Sequence, residues 1–189
     1  MINVAVEGQS DREAAIAVVR CAGRTVSKVR IAGGKTRLDP LIPNYNAASL
    51  YEPWVVFRDS DAACPVALRA RLMPPSSALN PRFALRIAHS MTEAWLMADR
   101  DSFAEYFRVS AARVPPSPES VLHGKRALLD LVLRSRSREI REDVVASSGE
   151  AGPLYVSRIN DFAATSWRPE VASNSSESLR RAIDRIANL

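Results

Sequence analysis

The chain has 189 residues, 47% of them hydrophobic, with 26 Lys and Arg against 21 Asp and Glu for a formal net charge of +5. That supports one cored domain, or one domain with a helical appendage, and the positive excess is too small to establish a nucleic-acid partner by charge alone. Cys21 and Cys64 lie in unrelated segments, which argues against a disulfide framework or a zinc site, and no apolar run approaches a membrane span.

The N-terminus begins directly with Ile2-Asn3-Val4-Ala5-Val6, an alternating strand-like run, so no signal peptide is expected and the protein is expected to be cytoplasmic. Glu7-Gly8 ends that strand. Ser10-Asp11-Arg12-Glu13 has the spacing of a capping box with Ser10 as cap, and the helix it opens carries Ala14, Ile16, Ala17, Val18 and Cys21 before Gly23 closes it. Residues 26–32 alternate Val, Ile and Ala with Ser, Lys and Arg, a second strand with one wetter face. Gly33 to Arg37 reads as a flexible basic turn, and Leu38 to Leu50, broken by Pro40 and Pro43, as a short irregular helix.

A third strand, at about 54–58, is a short apolar run ending in Asp59-Ser60-Asp61. A helix from Pro65 to Leu72 follows, with proline at its tolerated first position, then a loop at Pro74 to Ser77. Phe83 to Ala88 reads as a fourth strand. Ser90-Met91-Thr92-Glu93 is a second capping box opening a helix through Trp95, Leu96 and Met97, and a further helix at about 101–108 presents Phe103, Tyr106 and Phe107 on one face. Val114 to Pro118 is the clearest linker. Beyond it come helices at 123–134, at 154–164 and from about Ser176, the last with Leu179, Ala182, Ile183 and Ile186 at helical spacing. The fold class expected is therefore α/β, a Rossmann-like and mostly parallel sheet flanked by helices over residues 1–113, with a helical C-terminal subregion over 114–189 packed on it.

Chemistry concentrates where strands end. In an open α/β sheet ligands bind beyond the carboxyl ends of the strands, and Glu7 shares that rim with Asp59 and Asp61 if the first and third strands are neighbours. Carboxylates so grouped repel unless a proton or a cation intervenes, and Mg²⁺ is a hard ion suited to such oxygens. The plainer alternative is that Asp59 and Asp61 form a turn and cap the next helix.

At this point the sequence resembles the TOPRIM domain of topoisomerases, bacterial primases and OLD-type nucleases, whose marks are a Glu-Gly after the first strand and an Asp-x-Asp after the third. Here these are Glu7-Gly8 and Asp59-Ser60-Asp61, about 50 residues apart. The whole chain is similar to a TOPRIM-related group of short prokaryotic proteins, relatives of the RloB-like family. That group's Glu-x-Trp-Leu-x-Ala-Asp run is matched by Glu93-Ala94-Trp95-Leu96-Met97-Ala98-Asp99. Its C-terminal helical signature is matched between Trp167 and Leu179. The resemblance implies a TOPRIM fold and a Mg²⁺- or Mn²⁺-dependent phosphoryl-transfer site in which Asp59 and Asp61 hold the metal. Glu7 would serve as general acid/base or as a second metal ligand. It also implies a nuclease in prokaryotic defence or genome maintenance, DNA or RNA as partner, and an ABC/AAA-type ATPase beside it. One departure is that Ala62-Ala63-Cys64 stand where TOPRIM often has a glycine, so that loop is expected to be shaped differently.

Glu93 fits either a further catalytic acid or the structural partner of the Ser90 cap. His89, beside the mouth of the fourth strand, reads as a general acid/base or a hydrogen-bonded strand-end histidine. Lys125, which opens the first C-terminal helix, and Lys35 are candidates to meet a phosphate, as are Arg37 and the Arg-Ser alternation from Arg134 to Arg141. Gly34-Lys35-Thr36 lacks the glycine spacing of a P-loop and follows the second strand, so no NTP site is expected there. The rival reading is a non-catalytic subunit of the same fold that binds an ATPase or nucleic acid.

Overall fold

A computed structural model describes residues 1–61, 63–73, 79–89 and 91–189. Four strands, β1 (Ile2–Val6), β2 (Val26–Ile31), β3 (Trp54–Asp59) and β4 (Phe83–Ala88), form a sheet in the order β2-β1-β3-β4 with every pairing parallel. The two central strands are buried along their whole lengths. That is why they read as near-continuous apolar runs.

Eleven α-helices surround the sheet among the described residues: α1 (Arg12–Cys21), α2 (Lys35–Leu38), α3 (Ile42–Ala48), α4 (Pro65–Leu72), α5 (Thr92–Ala98), α6 (Arg100–Tyr106), α7 (Gly124–Val132), α8 (Arg138–Val144), α9 (Tyr155–Thr165), α10 (Pro169–Ala172) and α11 (Glu177–Ala187). None is long and apolar enough to cross a membrane.

Side-chain alternation divides the core between the two faces of the sheet. Val4, Val6, Val55, Phe57, Ala84 and Ala88 face one layer, built from α1 and the helices after β4. Ala5, Trp54, Val56, Phe83 and Leu85 face a thinner layer that includes Leu38, Ile42, Leu68 and Leu72. The first core runs without a break from Ile2 to Ile186, so a single apolar interior draws on both sides of the Val114–Pro118 segment.

Several local expectations are corrected. Ser10 does not cap α1. Residues Gln9–Asp11 form a 3₁₀ turn, and it is the Asp11 carboxylate that reaches back to accept the Gly8 N–H at 2.7 Å. Lys35 to Arg37 are helical rather than a free turn, and α8 occupies part of the Arg-Ser run, capped by Ser137 accepting the Ile140 N–H. The proposed Ser90 cap lies outside the described residues, as does the Pro74–Ser77 loop. The last helix starts at about Ser176 as expected, and Ser176 caps α11 by accepting the Leu179 N–H at 3.3 Å.

The two segments that carried the group resemblance pack against each other. Trp95 is buried edge-on to Phe57 at 6.2 Å, donates its indole N–H to Ser178 Oγ at 2.8 Å, and accepts the Trp167 indole N–H on its carbonyl at 3.2 Å. Asp99 accepts from Arg168 Nε, Nη2 and backbone N–H at 3.0, 2.8 and 3.0 Å. Trp95 and Asp99 are thus structural residues here.

Candidate active site

The β1–β3 pairing puts Glu7 and Asp59 at the same carboxyl rim of adjacent central strands. Alternation then separates their immediate surroundings. Asp59 continues the parity of Val55 and Phe57 and points into the thick helical layer. Arg58 shares the parity of Trp54 and Val56 and points to the other side. Asp61, with a φ of +49°, sits in the left-handed region that Asp tolerates better than most residues, and the chain has already left the strand. The i, i+2 spacing therefore does not leave the two acids side by side.

On the Asp59 side, Thr92 donates both its backbone N–H and its hydroxyl to Asp59 Oδ1, each at 2.9 Å. Asp59 thus caps α5, not the helix that directly follows it in sequence. Asp11 lies close enough to act on Asp59 electrostatically, as does Glu93, whose Oε1 accepts the Tyr155 hydroxyl at 2.6 Å. Burial, compounded by the charges of Asp11 and Glu93, pushes the Asp59 carboxyl well above the ordinary range. Burial likewise pushes Asp11 up to about 7, against the Gly8 N–H and with the charges of Glu93 and Glu7. The Tyr155 hydroxyl is pushed up by burial and by Glu93. Lys125 lies over the Tyr155 ring, 4.6 Å from its centroid, an ammonium held by the π-face beside these acids. Gly124 brings α7 that close: a Cβ there would meet the Ala94 nitrogen and Met91 Cβ at 3.4 Å.

On the other side, Arg58 is a buried cation serving several acids. Its Nε reaches Asp39 Oδ1 at 2.8 Å, and its Nη1 reaches Asp61 Oδ2 at 3.0 Å and Glu7 Oε2 at 3.3 Å. Lys35 adds a second hydrogen bond to Asp61 at 3.0 Å. It is placed there because Gly33 and Gly34, at φ of +82° and +116°, both donate their N–H groups to the Glu7 carbonyl and turn the chain back over the rim. Burial opposes ionisation of Asp61, but the hydrogen bonds from Lys35 and Arg58 outweigh it and hold the carboxyl below its usual value. A cavity of about 370 Å³ opens over Arg58, Asp39, Asp61 and Lys35.

Glu7 stands between the two groups. Burial raises its pKa, and the Arg58 charge opposes the rise. Its buried Oε2 is within ion-pair reach of Arg58 but not aligned for a hydrogen bond, and Glu93 Oε2 is also buried without a hydrogen-bond partner among the described residues.

Of the residues singled out in the sequence, Glu7, Asp59 and Glu93 are thus brought to one region together with Asp11. Asp61 and Lys35 are drawn to the Arg58 side. His89 is exposed, with its backbone N–H on Ser178 Oγ at 3.1 Å, and it lines a cavity with Glu177, Ser178 and Arg181 of α11. Among the described residues no group of three or more His, Cys, Asp or Glu side chains is arranged to close around a metal ion, so the trio Glu7, Asp59 and Asp61 does not form one ready ligand set.

Sequence reasoning missed Asp11, Arg58, Asp39 and Tyr155. Arg58 had a signal, a basic residue closing the apolar run of β3 directly before Asp59. Asp11 was masked by the capping-box pattern around it. Tyr155 had none, being 62 residues from the glutamate it bonds.

With this geometry established, comparison with solved structures finds the same architecture elsewhere. The fold is similar to the OLD C-terminal region. The C-terminal region of the Xanthomonas campestris pv. campestris OLD protein, in a structure phased with platinum, superposes with a TM-score of 0.53 at 15% identity, covering 98% of this chain and 91% of that one. A structure of the same region phased with iodine gives a TM-score of 0.39 at 16% identity, covering 98% and 93%. No protein-family model and no curated protein sequence matches the chain.

Proposed function

We propose that this chain is a Mg²⁺-dependent phosphoryl-transfer enzyme, a TOPRIM-type nuclease acting on DNA or RNA. One observation carries the reading. Glu7, Asp11, Asp59 and Glu93 converge at the carboxyl rim of β1 and β3, where among the described residues the buried Glu93 Oε2 has no hydrogen-bond partner and the buried Glu7 Oε2 has only its ion pair with Arg58. Arg58 is shared with Asp39 and Asp61, so the set is electrostatically costly without a further cation. The donors are all hard oxygens, which suit Mg²⁺ or Mn²⁺ better than a softer ion. The resemblance of the Glu-Gly and Asp-x-Asp motifs to TOPRIM and the similarity of fold to the OLD C-terminal region agree with this reading.

Glu7 and Asp59 would supply carboxylate oxygens to the ion, with water and phosphate oxygens completing its shell. When bound, it would neutralise charge on the phosphoryl group and orient the attacking oxygen. Asp11, pushed up to about 7 by burial, is able to hold a proton near neutrality and pass it to or from a reacting oxygen, and burial raises the Glu7 carboxyl in the same direction. Tyr155 fixes one oxygen of Glu93, and Arg58 fixes Asp61 and steadies Glu7. Lys125 and Lys35 flank the site as cations for phosphate oxygens.

The test is cleavage of single- and double-stranded DNA and RNA in Mg²⁺ or Mn²⁺. Asp59→Asn and Glu7→Gln are expected to lower the rate by about 10²-fold or more, as removing charge-stabilising groups does, with unchanged circular dichroism. Asp61→Asn is expected to cost less, since Asp61 lies with Lys35 and Arg58. Cleavage that proceeds in EDTA, or survives both of the first two changes, would overturn the proposal.

A further inference from the structure

The sheet's outer edge carries a second site. Strand β4 has a neighbour on one side only, and between α4 and α11 its exposed margin forms a cavity of about 420 Å³. This is within the size range of small-ligand pockets. The lining is of two kinds. Leu85, Ile87, Pro65 and Val66 make an apolar part, and Arg69, Arg86 and Arg181 bring guanidinium groups to it.

Among the described residues neither Arg69 nor Arg86 has an acidic partner. Arg86 donates to the carbonyls of Leu85 at 2.8 Å and Arg181 at 3.2 Å, and Arg69 to the carbonyl of Leu85 at 3.3 Å. Carbonyls are acceptors without net charge, so the two positive charges remain uncompensated. Burial, with the repulsion of Arg69 and Arg185, pushes the Arg86 guanidinium down to about 10, the mark of a cation held against its own preference. Two acids also line the cavity, but both are engaged. Glu119 accepts from Ser176 Oγ, Ser178 Oγ and the backbone N–H groups that begin α11, and Glu177 is paired with Arg180 and Arg181. An unneutralised pair of arginines beside an apolar floor fits a ligand with an anionic end and a flat, weakly polar body.

We infer that this cavity is a nucleotide-binding site, taking a phosphate on Arg69 and Arg86 and a base against Pro65, Val66 and Ile87. Arginine supplies planar donor geometry for phosphate oxygens. The site adjoins the proposed catalytic rim, because Ala88, at the end of β4, is in register with Asp59. A strand bound along this edge is therefore delivered toward the carboxylates, and a free nucleotide here occupies the same contacts. The inference extends the nuclease reading but does not depend on catalysis.

The experiment is fluorescence anisotropy with a short labelled single-stranded oligonucleotide, in EDTA, on the full chain. AMP and inorganic phosphate serve as competitors. Arg69→Gln and Arg86→Met are each expected to weaken binding by about tenfold, the loss of one charged phosphate contact, and to reduce the salt dependence by about one contact. Arg100→Gln, an exposed arginine at the start of α6 that donates to the Ala111 carbonyl, is expected to leave binding unchanged. Asp59→Asn is expected to bind as well as the parent, which separates failure of this site from failure of the catalytic one. Should Arg86→Met disturb the edge strand, the half-exposed Arg69 carries the test alone. Competition by AMP identifies a nucleotide pocket proper. Binding of the oligonucleotide without AMP competition, equal losses in Arg100→Gln, unchanged binding in both cavity variants, competition by inorganic phosphate as strong as by AMP, or no binding by the parent would each overturn the inference.

Discussion

Asp59 is buried to 8% exposure, with two Thr92 donors on one oxygen and the charges of Asp11 and Glu93 close by. Its charge therefore costs stability. Asn in its place keeps a carbonyl oxygen for Thr92 and removes the charge. Asp59→Asn is accordingly expected to stabilise the fold by about 1–2 kcal/mol near neutral pH while removing a ligand of the proposed metal ion, the trade common at functional sites. Differential scanning fluorimetry checks this, and a lowered Tm would show that the charge is compensated in a way the carboxylate cluster does not reveal.

The same residues set a pH dependence. Asp11 moves from an ordinary 3.8 to about 7, and Asp59 and Glu7 shift in the same direction. Across that window the native chain keeps protons that the unfolded chain has released, so stability falls as pH rises from about 4 to about 7. Asp61, depressed by its cations, works the opposite way, and its contribution is lost only as pH falls below the ordinary carboxyl value. The expected profile is a Tm higher at about pH 5 than at about pH 7.5, with Mn²⁺ restoring much of the difference at the higher pH by binding the ionised cluster. A Tm that rises steadily through this window would contradict it.

Between elements, the clearest dependence is that of the α5–α6 joint on the segment before α10. Asp99 is fully buried and held in bidentate fashion by Arg168, itself half-exposed. Arg168→Met leaves that carboxylate with the Arg168 backbone N–H and Ser102 but no cation, and a loss of about 1–3 kcal/mol is expected in urea unfolding. The double variant with Asp99→Asn should recover most of it. A second constraint lies where the chain passes from α8 to α9. A Cβ at Gly152 would stand 2.7 Å from the Asp143 carbonyl oxygen and 2.8 Å from two backbone atoms of Val144 and Val145. Gly152→Ala must therefore shift main chain, and a clear drop in Tm is expected. Gly23→Ala, where the added methyl meets nothing within 4 Å, tests only the cost of its φ of +72°.

On the scale of the molecule, the two faces of the sheet are unequally covered. The thick face carries Phe57 together with Trp95, Phe103, Phe162 and Leu179 in one core. A chain ending at Arg113 would expose the α1 and α5 surfaces to water. It is expected not to fold cooperatively, as judged by thermal unfolding and by dye binding to exposed apolar surface. The same dependence places Tyr155 and Lys125, both beyond the Val114–Pro118 segment, against the acids at the sheet rim.

The strands and most of the helices were legible in the sequence because their signals are local: period-two alternation, β-branched runs ending in acids, and the 3.6-residue spacing in α11. Glu7 and Asp59 could be placed on one rim from strand order alone. What the sequence could not decide was which way each acid points once the strand has ended. A one-residue change of parity set Arg58 and Asp59 on opposite faces, and the left-handed turn at Asp61 carried that acid to Lys35 and Arg58. The partners that complete the cluster, Asp11 through a 3₁₀ turn and Tyr155 from 62 residues past Glu93, are fixed by packing. Residue spacing along a chain says where a carboxylate is attached, but its charge environment depends on distances through space, and those are set only when distant elements share one core.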